Sequence, residues 1–134
     1  MTTYEQIQRD ITNQNERAQI KVDELSEVFK DALEKGFNAF CYDFKWRANK
    51  TLEANVQLQL WQEALAIVSN KEHTIQENLE ELRRYQDRIN SKFMNCSLSN
   101  IRVDGHGIQE LCEYTAMAEF LKDFKQVLNL ASQK

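Results

Sequence analysis

The chain has 134 residues, a formal net charge of −4, no proline and three glycines, and 42% of its residues are hydrophobic. A chain of this length suits one domain that buries about two-thirds of the surface its unfolded form exposes, so we expect a single domain over 1–134. The lack of proline and the scarcity of glycine disfavour an all-β fold, which needs many tight turns. Seven phenylalanines, four tyrosines and two tryptophans exclude a disordered chain. These features predict an all-α fold but identify no function.

The N-terminal segment has the apolar spacing of a long helix. A capping box of Thr3 and Gln6 predicts its start and Gly36 its end, so helix one should cover 3–35. Its seam positions alternate in steps of three and four: Tyr4, Ile7, Ile11, Gln14 and Ala18. Such a helix is about 50 Å long, whereas a compact globule of this chain length has a radius of gyration of about 14 Å. Either the bundle is elongated or a second chain covers the helix, and we expect a homodimer through this seam.

Two further helices follow, with apolar stripes of different width. Helix two is predicted over 38–69, where two stripes run side by side and should make it the most buried element. Helix three is predicted over 71–93 and should open with a capping box of Ser69 and Glu72. Its single stripe consists of Ile75, Leu79, Leu82, Gln86, Ile89 and Phe93. These stripes are typical of coiled-coil-like seams between helices.

Residues 94–107 have loop chemistry, because they hold two of the three glycines and lack helical spacing. Helix four is predicted after this loop, over 108–131. The predicted fold is therefore an elongated four-helix bundle with a long N-terminal helix. Ile101, Arg102 and His106 are the loop residues that we expect a partner to contact.

The segment 37–47 is unusually dense in aromatic and basic residues. Tyr42, Trp46 and Arg47 lie off its apolar stripe, and residues of these types often anchor protein interfaces. The same combination, extended to residue 51, could stack the bases of single-stranded nucleic acid. The net charge of −4 argues against that alternative, because phosphate contacts supply most of the affinity for nucleic acid.

The common motifs of catalytic and cofactor sites are missing. The sequence has no glycine-rich phosphate loop, no dinucleotide-binding fingerprint, no H-E-x-x-H and no E-x-x-H of the di-iron type. Cys96, His106 and Cys112 lie around one loop, but a structural zinc site needs closer ligand pairs. Cys112 lies beside Leu111 on helix four, where a buried thiol packs as a small hydrophobe. We expect no enzyme activity, no metal and no cofactor.

The sequence also lacks the marks of a membrane or secreted protein. No apolar run approaches the roughly 18 residues of a membrane span, and the N-terminus has no secretion signal. The three cysteines have no C-x-x-C spacing, which is typical of thiols that stay reduced. We expect a cytoplasmic protein.

These observations favour a non-enzymatic protein–protein interaction module, such as an adaptor, a chaperone-like protein or an inhibitor. It would act through a helical face or the 94–107 loop, with an apolar centre and a charged edge. The alternative is nucleic-acid or nucleotide binding through 37–51. No resemblance to a known family is apparent in the residues.

Overall fold

The structure, a computed structural model, confirms the predicted all-α fold. It describes residues 2–34, 42–95 and 105–129, with the side chains of these ranges except those of 28, 29, 31–34, 42–49 and 105–111. Within these ranges the chain forms four helices and no strand: α1 (Thr3–Glu34), α2 (Tyr42–Val68), α3 (Ile75–Asn95) and α4 (Gly105–Asn129). α1 has 32 residues without a break, as its apolar spacing predicts.

Consecutive helices run antiparallel, as in an up-down-up-down bundle. The Tyr4 hydroxyl, near the start of α1, donates to the carbonyl oxygen of Val68 at the end of α2. α3 starts beside that same end of α2, and further along α3 the Tyr85 hydroxyl reaches the carbonyl oxygen of Leu60. Short connections between antiparallel neighbours account for this order.

α2 and α4 form the centre of the bundle. They pack against each other and each also contacts α1 and α3, whereas α1 and α3 have little contact with each other. Apolar residues accordingly occur around much of α2 and α4 but follow one stripe on α1 and α3. The prediction that helix two is the most buried element is therefore incomplete, since α4 shares the central position.

The main core lies where all four helices meet, and we call it the four-helix core. Its centre is aromatic: the Trp61 ring centroid lies 4.7 Å from that of Phe120 and 6.0 Å from that of Phe124, edge to face. Tyr85 packs edge-on against the same two rings at 6.0 and 6.1 Å. Each such pair contributes about 0.5–1.5 kcal/mol beyond the area it buries. The buried members of the core are Ile7, Ile11, Leu60, Trp61, Ala64, Val68, Leu82, Tyr85, Ile89, Met117, Phe120, Phe124, Val127 and Leu128.

A second, smaller cluster joins α1 and α2, and we call it the α1–α2 cluster. Its buried members are Val22, Ala54 and Leu58, with Ala18 and Leu25 packed against them. In α1, residues 19–27 are exposed except for Val22 and the half-buried Leu25. Only one side of α1 is therefore covered in this region, as far as the structure describes it.

The cap at the start of α1 is another residue than predicted. Thr2 is the cap, and its hydroxyl oxygen accepts a hydrogen bond from the Glu5 amide at 3.1 Å. Among the described residues the predicted box of Thr3 with Gln6 does not form, and the Gln6 side chain instead donates to the Asp10 carboxylate at 3.0 Å. Glu5 also places a carboxylate in the first turn, where the helix dipole favours negative charge.

α3 also begins later than predicted. Its capping box is formed by Thr74, whose hydroxyl oxygen accepts from the Glu77 amide at 3.1 Å while the Thr74 amide donates to the Glu77 carboxylate at 3.4 Å. The predicted box of Ser69 and Glu72 is wrong. Asn70 instead forms a local turn, in which its side-chain oxygen accepts from the Glu72 amide at 2.9 Å.

The connection between α3 and α4 is shorter than the predicted loop. α3 continues to Asn95 and α4 begins at Gly105, so the prediction of a loop over 94–107 is wrong at both ends. His106 lies in the first turn of a helix. The glycines and polar residues at these two helix ends show no apolar spacing, so the sequence gives no sign of a helix there. Helix ends nevertheless tolerate such residues, because the first N–H groups and the last carbonyl groups of a helix have no partner within it.

Candidate partner-binding groove

A groove runs along the surface between α2 and α3, and we call it the α2–α3 groove. Its volume is about 420 Å³. Glu63 lines it on α2, and Arg88 and Lys92 line it on α3. Between these charged residues the apolar lining consists of Ala66, Ile67 and Ile89.

The groove continues towards α4 as a second cavity of about 220 Å³. Glu63, Ile89 and Lys92 line both cavities, so the two adjoin. The second cavity adds apolar lining from Val56, Leu60 and Met117, and polar lining from Gln59 and Glu113. The combined surface has apolar side chains along its length and charged side chains at its edges, which is the usual anatomy of a protein interface.

Tyr85 links the two helices beneath the groove. It is only 4% exposed, and two acceptors lie within reach of its hydroxyl: the Glu63 carboxylate at 2.6 Å and the carbonyl oxygen of Leu60 at 3.2 Å. Burial raises the pKa of Tyr85 well above its ordinary value, and the neighbouring Glu63 raises it further. Tyr85 is therefore a neutral donor that holds the Glu63 carboxylate in place.

The two cations on the α3 side of the groove have no carboxylate partner. The Arg88 guanidinium lies over the Tyr85 ring, with Cζ 5.5 Å from the ring centroid, and Lys92 follows one turn later. In the described part of the chain, neither cation lies within 4.0 Å of a carboxylate oxygen. Arg84 on the same helix, by contrast, pairs with Glu81 at 2.9 Å. The positive charge of this side is thus available to an external carboxylate.

A buried polar network lies at one end of the bundle. Asn78 is 2% exposed and donates from Nδ2 to the Tyr4 hydroxyl oxygen at 3.0 Å and to the carbonyl oxygen of Asn70 at 2.9 Å. Its Oδ1 is buried without a partner among the described residues. The network joins the starts of α1 and α3, and a single buried asparagine of this kind fixes the register between helices.

The structure places the predicted dimer seam in the chain's own core. Ile7 and Ile11 are 0% exposed, and Tyr4 and Ala18 pack against the four-helix core. Gln14 is half-buried and lines a polar groove of about 240 Å³ between α1 and α4. Of the two explanations for a long first helix, α1 thus follows the one that keeps it within its own bundle. The homodimer itself stays a prediction.

The other predicted contact residues are not tested. The structure describes the backbone of Tyr42, Trp46, Arg47 and His106 but not their side chains. Ile101 and Arg102 lie outside the described residues. Tyr42, Trp46 and Arg47 belong to the first turns of α2, and nothing further follows about their contacts.

Cys112 is buried, as its position beside Leu111 on helix four predicts, with 2% of its surface exposed. Burial raises the pKa of its thiol above the ordinary value, and Glu53 raises it further. A protonated thiol is a poor nucleophile and a poor metal ligand. Among the described residues, no group of three or more His, Cys, Asp and Glu side chains is placed to hold a metal ion.

Neither the groove nor the polar network is predicted from the sequence. The predicted stripe of helix three includes Ile75 and Gln86, but Ile75 is 57% exposed and Gln86 is only half-buried. The stripe that the structure buries is Asn78, Leu82, Tyr85 and Ile89, which also has steps of four and three. The spacing was therefore present in the sequence, although two of these four side chains carry polar groups.

Comparisons with known proteins do not identify a family. No protein-family model, curated protein or solved structure matches the chain. None of the helices, within the described residues, combines the length and hydropathy needed to cross a membrane. The case for a function therefore depends on the chemistry of the α2–α3 groove.

Proposed function

We propose that this chain is a non-enzymatic protein-binding module and that the α2–α3 groove is the surface that binds its partner. One observation carries the proposal: apolar side chains line the groove, while Glu63, Arg88 and Lys92 border it. Protein interfaces have this combination of an apolar centre and a charged rim. An adaptor, a chaperone-like protein or an inhibitor would use such a surface.

The openness of the groove favours a macromolecular partner over a small ligand. Glu63, Ala66, Arg88 and Lys92 are all exposed, so the groove is accessible along its length. Small-molecule sites usually bury most of their ligand in a concave pocket. A protein segment can instead continue beyond the groove on both sides and bury additional area there.

Three other expectations remain proposals. A cytoplasmic location and a homodimer both fit a module of this kind. Nucleic-acid binding through 37–51 gains no support from the described residues, because most side chains of that segment are not described.

Filling the groove tests the proposal. Ala66 is exposed in the groove, and Ala66→Arg places a large side chain there. Because arginine has a high helix propensity, the substitution should not disturb α2 itself. Asn90→Arg is the matched control, since Asn90 is exposed on α3 and does not line the groove. We expect affinity capture from the native host to retain a partner protein with the wild type and with Asn90→Arg, but not with Ala66→Arg.

The location of the contact is measured in the same samples. Chemical cross-links from the retained protein should include Lys92 at the edge of the groove. Capture that is equal for both arginine variants would contradict the proposal. So would retention of nucleic acid in place of protein, which would favour the 37–51 alternative.

A further inference from the structure

We infer that the partner segment in the α2–α3 groove is an amphipathic helix whose carboxylates face Arg88 and Lys92. The inference rests on the proposed function and specifies the chemistry of the occupant.

The dimensions of the groove suit a short helix. Its lining on α2 extends from Val56 to Ile67, which corresponds to about 16 Å along the helix axis. About three turns of an added helix would span that distance. The apolar lining also matches a stripe of i, i+3, i+4 and i+7 anchors, which is how helices bind in apolar grooves.

The α2 side of the groove carries the negative charge of Glu63, whereas the α3 side carries the positive charges of Arg88 and Lys92. On α2 the Glu63 carboxylate already accepts the hydrogen bond of Tyr85 at 2.6 Å. On α3 the cations Arg88 and Lys92 lack a carboxylate within ion-pair distance among the described residues. A partner carboxylate would gain attraction on the α3 side and suffer repulsion from Glu63 on α2 and from Glu113 on α4, which lines the second cavity. This segregation selects acidic residues on the flank of the helix that faces α3.

A second copy of this chain is a weaker occupant. The outward face of α1 does carry an acidic helix surface, with Asp23, Glu24 and Glu27 around the exposed Ile20. Within residues 19–27, where the side chains are described, that face offers one large apolar side chain, 57% exposed, to a groove with several apolar contacts. A helix of another protein, with a full apolar stripe, matches the lining better.

Two synthetic helices measure the selection directly. Both are amphipathic peptides of about 14 residues with the same leucine stripe, and they differ only in carrying glutamate or lysine beside it. We expect the glutamate peptide to bind the full-length protein roughly three- to tenfold more tightly in low salt, as measured by fluorescence anisotropy. The difference should shrink as salt screens the exposed charges.

Charge reversal assigns the effect to the groove. Lys92→Glu should abolish or reverse the preference between the two peptides. Arg83→Glu makes the same change of charge at an exposed residue of α3 that lines none of the groove, and it should leave the preference intact. Circular dichroism checks that both variants keep the helical content of the wild type.

The outcomes separate this inference from the proposed function. Equal binding of both peptides, abolished by Ala66→Arg, would overturn the charge selection and leave the groove as a binding surface. If neither peptide binds and Ala66→Arg retains the partner as well as the wild type does, both the inference and the proposed function would be overturned. Preference for the lysine peptide, or self-association of the wild type that Lys92→Glu dissociates, would overturn the inference in favour of a basic helix or a second copy.

Discussion

The four-helix core and the α1–α2 cluster bury the same helix, α1, in very different surroundings. Near its start, Ile7 and Ile11 belong to a cluster to which all four helices contribute. Further along, Val22 packs in a cluster whose buried members, among the described side chains, come from α1 and α2. The apolar stripe is similar in both regions, but among the described residues different numbers of helices cover it. The energetic weight of a stripe residue therefore depends on its position along α1.

This difference also predicts where the bundle opens first. Local unfolding is easiest where few buried apolar contacts must separate. Among the described side chains, the α1–α2 cluster has three buried members, whereas the four-helix core includes a network of aromatic rings around Phe120 and Phe124. The α2–α3 groove lies on the four-helix core, since Tyr85 and Ile89 belong to both. A binding surface there is built on the more stable region.

The largest expected effect comes from placing the same charge in the two regions of α1. Ile11→Asp buries a carboxylate in the four-helix core and should destabilise by on the order of 5 kcal/mol, which is comparable with the stability of a whole small domain. Val22→Asp lies at the edge of the smaller cluster, where 9% of the side chain is exposed, and should cost about 1–3 kcal/mol. Circular dichroism during urea unfolding measures both.

Asn13→Asp is the control for these variants, because it adds one negative charge at an exposed position of α1. It should leave the free energy of unfolding nearly unchanged. A folded Ile11→Asp variant that dissociates from a dimer would contradict the comparison and restore the seam as an interface between chains. Equal destabilisation by Ile11→Asp and Val22→Asp would show that the two regions form one cooperative unit.

Alkaline pH should weaken the four-helix core through Tyr85. The pKa of Tyr85 is raised above its ordinary value of 10.0 in the folded state, so the folded protein keeps a proton that the unfolded chain loses above that pH. Stability is then fully present below pH 10.0 and falls as the pH rises, by about 1.4 kcal/mol per pH unit for this group. The raised pKa of Cys112 acts in the same direction from its ordinary value of 9.0 upwards. Urea unfolding at a series of alkaline pH values measures the slope.

Tyr85→Phe separates the two contributions. It removes the hydroxyl and its hydrogen bonds, which should cost about 1 kcal/mol at neutral pH. It should also reduce the alkaline slope, and the slope that remains reports on Cys112. An unchanged slope in Tyr85→Phe would mean that Tyr85 does not retain its proton in the folded protein.

The spacing of apolar residues predicts the helices and their buried faces, but it does not predict how the helices pack against one another. The steps between Ile7 and Ile11, or between Leu82 and Ile89, predict a helix and its buried face, and the structure has both. Periodicity does not say what covers that face, so the sequence leaves open whether Ile7 and Ile11 face their own bundle or a second chain, and in the structure both are buried by the chain's own helices. The groove combines Glu63 with Tyr85, and only the antiparallel register of two helices brings those residues together. That register depends on packing across the whole core, which no local pattern contains.

The smallest expected effect on stability comes from removing the cap at the start of α3. Thr74→Ala removes the oxygen that accepts from the Glu77 amide and should lower the free energy of unfolding by about 1 kcal/mol, whereas Thr74→Ser keeps an acceptor and should lower it by less. Ser69→Ala removes the cap that spacing alone predicts and should have almost no effect. Because α3 packs in the four-helix core, Thr74→Ala should reduce amide protection in the first turns of α3 and leave the α1–α2 cluster unchanged. Equal loss of protection in both regions, or a larger effect of Ser69→Ala, would show that the cap and the core are not coupled in this way.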